Sequence, residues 1–304
     1  MKYDVEADWL LLHTCNFRCG YCFSYDIRDS KTEIHGTHTQ WRKGFDDTGK
    51  TWLLHITGGE PTLYPGFVDL CRELSQNHYL SINSNLSNQC ILNFANSIDP
   101  TRVNFINAAI HFEERQKRHS LDKFIEHVHV LKNAHFNVLV SLVMTPSVID
   151  DFPNIAEYFG TKGLYIIPKI IRGFYDKKQY PTGYCEDHKR QLYQYMRTAQ
   201  EQYRFMLNNM ESPPTINMFL DRMFLVGIKD YRGRGCNAGY KFVKIDPDGT
   251  VGLCSTPLVL GNILSNTVRL MRTHSICKTT YCPYFCEKYS FKCNLFSKLR
   301  MKFG

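Results

Sequence analysis

No stretch of this sequence stays apolar for anything near the ~18–20 residues that a membrane-crossing helix needs, so no membrane partner is expected. The opening residues, Met1-Lys2-Tyr3-Asp4-Val5-Glu6, lack the apolar core of an export signal. A cytoplasmic location follows as the expectation, and in a reducing compartment the twelve cysteines are not expected to form a disulfide framework. Blocks of like charge are also missing. The formal charge of +8 is scattered along the chain, so no nucleic-acid partner is expected. That mild excess remains compatible with an anionic substrate, phosphorylated or nucleotide-linked. The basic tail Lys298-Leu299-Arg300-Met301-Lys302 reads as a solvated end.

What is present is the composition of a globular protein, 43% hydrophobic and 22% charged over 304 residues. Such a length accommodates one large domain and one small one. Cysteines kept reduced point to metal or redox chemistry, and their spacing is informative. Cys15, Cys19 and Cys22 stand as C-x3-C-x2-C just after the apolar run Trp9-Leu10-Leu11-Leu12. Three thiolates on one loop suit three corners of a cubane cluster. Such clusters normally take four cysteines, so one iron would be left for a substrate or cofactor. The competing reading is a zinc knuckle with His13 as fourth ligand. A second motif, Gly58-Gly59-Glu60-Pro61, follows the run Trp52-Leu53-Leu54-His55-Ile56-Thr57. Two glycines at a strand end allow close approach of backbone to a ligand, and the proline fixes the turn.

Together these motifs resemble those of the radical S-adenosylmethionine (radical SAM) superfamily. The resemblance implies a [4Fe–4S] cluster on Cys15, Cys19 and Cys22, with its open iron chelated by the amino and carboxylate groups of S-adenosylmethionine. It implies that Gly58, Gly59, Glu60 and Pro61 hold the methionine end of that cofactor and that Tyr21 lies near the adenine. The chemistry implied is reductive cleavage to a 5′-deoxyadenosyl radical, which abstracts a hydrogen atom from an unactivated carbon. A reducing partner such as flavodoxin or ferredoxin is implied with it.

The chain in order supports parallel βα units. Strands are expected over 8–14, 51–57, 79–83, 102–111, 136–144 and 163–170, the last at an edge because of Pro168. Polar residues 24–50 are expected to form a loop with one short helix. Helices are expected on Phe67, Leu70 and Leu74; over 87–96; on Leu121, Phe124, Val128 and Leu131; from Asp150; over 186–207; and over 215–227. Cys71 and Cys90 fall inside helices and read as packed thiols. Apolar strands alternating with helices give an α/β fold. The pattern alone leaves an open sheet and a barrel undecided; the family resemblance implies a partial (β/α)6 TIM-like barrel. In such folds ligands sit at the carboxyl ends of strands. That rule makes Asn83, Asn107 and Ser141 candidates for cofactor binding and His111 a candidate proton donor or substrate ligand. Lys169 and Arg172 are candidates for an anionic group, or else a solvated surface pair. Residues 173–184 form an aromatic-rich loop suited to covering the barrel mouth.

The expected domains are 1–230, a barrel with a helical linker over about 173–230, and 231–304, a small cysteine-rich α+β domain. Cys236 and Cys254 flank a predicted hairpin turning at Asp246-Pro247-Asp248-Gly249. This C-x12-G-x4-C arrangement resembles the opening of the SPASM and twitch extensions of radical SAM enzymes, which bind auxiliary [4Fe–4S] clusters. The later spacing, Cys277-x4-Cys282-x3-Cys286-x6-Cys293, departs from the full SPASM pattern. One auxiliary cluster on Cys236, Cys254, Cys282 and Cys286 is the expectation, with zinc or a second cluster as alternatives. The function expected is hydrogen abstraction from a small molecule, such as a sugar or nucleotide-linked metabolite, for a net oxidation. Only about 14 residues precede Cys15, which leaves no room for a peptide-recognition domain there. A peptide-modifying maturase is the alternative, and a non-enzymatic iron–sulfur or zinc protein is the rival of another class.

Overall fold

The computed structural model describes residues 1–22, 34–210, 219, 221–225, 230–254, 256–279 and 290–291. Six parallel strands lie side by side in chain order: β1 (Val5–Leu10), β2 (Trp52–Thr57), β3 (Tyr79–Ser84), β4 (Val103–Ala109), β5 (Val138–Val143) and β6 (Ile167–Lys169). Their crossovers carry α1 (His38–Asp46), α2 (Phe67–Leu74), α3 (Cys90–Ser97), the pair α4 (Phe112–Lys117) and α5 (Leu121–Asn133), and α6 (Pro146–Thr161). The expected α/β class with a mainly parallel sheet is therefore present, and Pro168 does lie in an edge strand.

After β6 comes a two-stranded hairpin, β7 (Gly173–Tyr175) and β8 (Lys178–Tyr180), then α7 (Glu186–Gln202), α8 (Arg204–Asn209) and α9 (Arg222–Leu225). The remaining strands are β9 (Gly235–Cys236), β10 (Phe242–Ile245), β11 (Thr250–Gly252), β12 (Val259–Asn262), β13 (Ser275–Ile276) and β14 (Ser290–Phe291). The predicted hairpin is β10–β11, and β10 runs parallel to β1, pairing Glu6 with Phe242 and Trp9 with Ile245. The main sheet thus has nine strands in the order β12-β11-β10-β1-β2-β3-β4-β5-β6. Strands β13 and β14 flank β9 in a separate small sheet.

Alternation along each strand divides the sheet into two unlike faces. Val5, Ala7, Trp9, Leu54, Ile56, Leu80 and Ile82 belong to the main core. Trp9 meets Trp41 and Phe45 of α1 at ring centroid distances of 4.7 and 5.3 Å. The opposite face carries Glu6, Asp8, His55, Ser81, Asn83 and Asn107, a polar row across four neighbouring strands. Further along that face, Phe105, Leu139 and Ile167 pack under Ala199, Tyr203 and Phe219.

Four local expectations are corrected. The first strand begins at Val5 rather than 8 and ends at Leu10, because residues 11–14 leave the ladder to meet the Gly58-Gly59 turn. The helix expected from Asp150 begins at Pro146, where the Thr145 hydroxyl accepts from the Val148 amide and proline suits the first turn. The long helix over 186–207 breaks at Tyr203, whose hydroxyl donates to the Tyr165 carbonyl and accepts from the Val140 amide. The loop at 173–184 contains a hairpin, with Asp176 and Lys177 both at positive φ, as a two-residue turn of mirror-image type requires.

Candidate functional site

The two sequence motifs meet at the carboxyl ends of β1 and β2. The Leu11 amide donates to Thr57 O, Gly59 N to Leu12 O and Glu60 N to Thr14 O, at 2.8–2.9 Å. This backbone contact leaves no room for side chains. A Cβ on Gly58, at φ +152°, would lie 2.4 Å from Leu12 O, and one on Gly59 would lie 2.1 Å from Thr14 O. The glycines therefore press the segment leading to Cys15 against the second motif. Glu60 is buried, and its carboxylate accepts from Thr62 N, Thr62 Oγ1, Ser84 Oγ and Asn85 N. Burial pushes its carboxyl above the usual range, while those four hydrogen bonds pull the other way. Glu60 ties β2 to β3, and Pro61 opens the single 3-10 turn that follows.

The cysteine loop rests on the start of α4. Glu114 accepts from the Arg18 amide at 3.1 Å, and Arg118 donates to Asn16 O at 2.8 Å. Arg115 is buried, its guanidinium 5.2 Å from the Phe17 ring, and it donates to the carbonyls of Ile110, Ser120 and Asn85. Cys19 is buried, and Cys15 and Cys22 are half-buried. The Phe17 amide points at Cys15 Sγ, 3.4 Å away. His111 Nδ1 lies 3.3 Å from Cys19 Sγ and 3.0 Å from the Tyr21 hydroxyl. Burial pushes the Cys19 thiol up to about 12, helped by the charges of Cys15, Glu114 and Cys22 and opposed by the Tyr21 hydrogen bond. Burial likewise raises Cys15 and lowers His111 to about 4. Thiols raised in this way are poor nucleophiles, which argues against thiol catalysis at this loop. A metal cluster bound there would deprotonate its coordinating thiols by its own charge. Among the described residues no three His, Cys, Asp or Glu side chains are grouped tightly enough to hold a single metal ion, at the cysteine loop or elsewhere.

Two of the expected cofactor residues stand beside one another. Asn107 donates to Asn83 Oδ1 at 2.6 Å, and Asn83 donates to Thr57 Oγ1 at 3.2 Å. Asn107 Oδ1 is buried without a hydrogen-bond partner among the described residues, the condition of a side chain awaiting a ligand. Ser141 is buried on β5, with Ala109 as its neighbour in register, one strand beyond the asparagine pair. Lys169 and Arg172 are not a solvated pair. Both contact Oδ1 of the buried Asp221, at 3.0 and 2.5 Å, and the Ile170 amide donates to its other oxygen. Asp221 was not singled out in the helix expected over 215–227, because nothing in the local pattern shows that it faces Lys169 and Arg172.

The β7–β8 hairpin reaches the cysteine loop. The Tyr175 ring stands 6.3 Å from the Tyr21 ring, and a Cβ on Gly20 would touch it at 3.5 Å. Part of the aromatic-rich stretch thus lies against the cysteine loop.

Near the C-terminus, Cys236 is buried with Cys254 and Cys277 packed against its cluster. Strand β13 brings Cys277 there, pairing Ser275 with Cys236, and the Cys277 amide donates to Arg234 O at 2.8 Å. The Ala238 amide points at Cys236 Sγ, 3.5 Å away, as the Phe17 amide does at Cys15. Spacing alone does not single out Cys277 among the last four cysteines; the pairing of β13 with β9 does. Cys282 and Cys286, the expected ligands, lie outside the described residues.

Residues 9–159, just under half of the chain, match the family model described as the Radical SAM superfamily. No curated protein is similar to the chain in sequence. Among solved structures, histidine-tagged anSMEcpe with bound AdoMet superposes with a TM-score of 0.58 at 17% identity, over 87% of this chain and 76% of that one. Streptococcus suis SuiB bound to S-adenosylmethionine gives 0.59 at 14% identity, over 86% and 64%. SuiB bound to precursor peptide SuiA gives 0.56 at 14% identity, over 88% and 64%. These likenesses are of fold.

Proposed function

We propose that this chain is a radical SAM enzyme built on a partial (β/α)6 barrel. Cys15, Cys19 and Cys22 hold a [4Fe–4S] cluster, and S-adenosylmethionine binds beside it along Gly58-Gly59-Glu60-Pro61, with Asn83 and Asn107 on the neighbouring strands. When bound, that pair supplies a carbon radical able to take a hydrogen atom from an unactivated carbon. The residues of this chain position it and keep water out, the latter through Tyr175 on the β7–β8 hairpin. The observation that carries the reading is the backbone seam between residues 11–14 and 57–60. It joins the three-thiol loop to a glycine turn too tight for any side chain.

Cys236, Cys254 and Cys277 are proposed as ligands of one auxiliary [4Fe–4S] cluster, whose role is to accept an electron in a net oxidation. A fourth ligand would come from Cys282, Cys286 or Cys293. The substrate is a small molecule or a peptide, and the reductant a flavodoxin or ferredoxin. The SuiB complex with its precursor peptide favours the peptide reading, as a fold neighbour over most of this chain.

The experiment is anaerobic reconstitution with iron and sulfide, chemical reduction, addition of S-adenosylmethionine and assay for 5′-deoxyadenosine. The parent is expected to form it. The Cys15→Ala, Cys19→Ala, Cys22→Ala triple variant is expected to form none, and Cys236→Ala with Cys254→Ala to retain cleavage while losing substrate turnover. Equal 5′-deoxyadenosine from the triple variant and the parent overturns the reading.

A further inference from the structure

One sulfur in the cysteine loop is treated differently from the other two. Cys19 Sγ has His111 Nδ1 at 3.3 Å and is hydrogen-bonded by the Tyr21 hydroxyl. The same imidazole nitrogen lies 3.0 Å from that hydroxyl. The arrangement is held from several sides. The Tyr21 and His111 rings are stacked, 17° from parallel, and Phe17 meets His111 edge-on at 5.7 Å. His111 sits at φ +50°, a left-handed backbone uncommon outside glycine, and its carbonyl accepts from the Arg115 amide at 3.1 Å. Arg115 Nε fixes the preceding carbonyl, Ile110 O, at 2.6 Å. No backbone requirement of a crossover calls for a histidine in such a position, whereas a donor at Cys19 does.

We propose that His111 and Tyr21 are tuning residues. Both donate hydrogen bonds to the Cys19 thiolate once it ligates the cluster, and they raise the cluster's reduction potential. A thiolate accepts from both donors when His111 carries its proton on Nδ1. Hydrogen bonds to ligand sulfurs stabilise the more negative, reduced cluster, which eases entry of the single electron supplied by the reductant. Among the described residues, Cys15 has only a backbone amide at its sulfur, so the tuning falls on the Cys19 corner of the cluster. The inference rests on the loop's proposed role as cluster site.

The test is a redox titration of the reconstituted full chain, following the EPR signal that the Cys15→Ala, Cys19→Ala, Cys22→Ala variant lacks. His111→Leu and Tyr21→Phe are each expected to make reduction of that cluster up to tenfold less favourable, a midpoint more negative by up to about 59 mV for one electron. His111→Asn tolerates a left-handed backbone and keeps an amide donor at the same place, and it is expected to stay near the parent value. Parent-like midpoints in both His111→Leu and Tyr21→Phe, at full iron loading, overturn the inference alone. Should His111→Leu fail to load iron, the Tyr21→Phe midpoint decides. Absence of the signal from the parent overturns the cluster reading together with it.

Discussion

Asp8 shows how one side chain on the polar face shapes the molecule's response to pH. It lies on β1 opposite His55, with Lys244 and Asp246 also facing it, and burial raises its carboxyl to about 6 against the pull of His55 and Lys244. A folded value above the unfolded one means that its contribution to stability is full below about pH 4. That contribution is lost as pH rises through about 6. Asp8→Asn is therefore expected to be more stable than the parent at pH 7.5, by on the order of 2–3 kcal/mol and with a higher melting temperature, and equally stable at pH 4. Equal melting temperatures at both pH values would remove Asp8 from this account. At this scale the sequence was informative where backbone geometry is constrained, as at Gly58 and Gly59, whose close approach to residues 12–14 is seen. Asp221, Cys277 and Arg115 were illegible because their roles depend on partners distant along the chain.

Elements were legible where apolar periodicity dominates. All six parallel strands were expected within a few residues of their places, since each is buried in the sheet. Helix α4 was missed because Phe112-Glu113-Glu114-Arg115-Gln116-Lys117 has a single apolar residue; it is anchored by Glu114 and Arg115 instead. The β7–β8 hairpin was missed because Asp176-Lys177 lacks the glycine usual in such turns. Both elements touch the cysteine loop. Two predictions belong here. Gly59→Ala forces a Cβ against the carbonyls of His13 and Thr14, and is expected to destabilise by about 1–3 kcal/mol and to lower iron loading, read by denaturant titration and iron analysis. Tyr175→Ala uncovers Gly20 and Tyr21. It is expected to speed bleaching of the cluster chromophore in air several-fold at unchanged initial iron content. Bleaching at the parent rate would show that the hairpin does not shield the loop.

At the scale of the whole molecule, the decisive feature is the pairing of β10 with β1. The expected boundary near 230 falls between segments whose strands share one sheet, a long-range pairing that no local pattern announces. Val243, Ile245, Val251 and Ile263 all belong to the main core. Removing residues 231–304 uncovers the edge of β1 along four register pairs and strips those side chains from the core. The truncated chain is expected to be insoluble or aggregated by size-exclusion chromatography. A soluble monomer with native circular dichroism would show that residues 1–230 stand alone.

That same pairing has a consequence for maturation. The strand that launches the three-thiol loop acquires its second neighbour only after more than two hundred further residues have been synthesised. A nascent chain emerging from the ribosome therefore presents its thiols on a half-built foundation, open to oxidation and to the wrong ions. On the proposed cluster reading, iron delivery is expected after translation, to a chain already closed upon its own beginning.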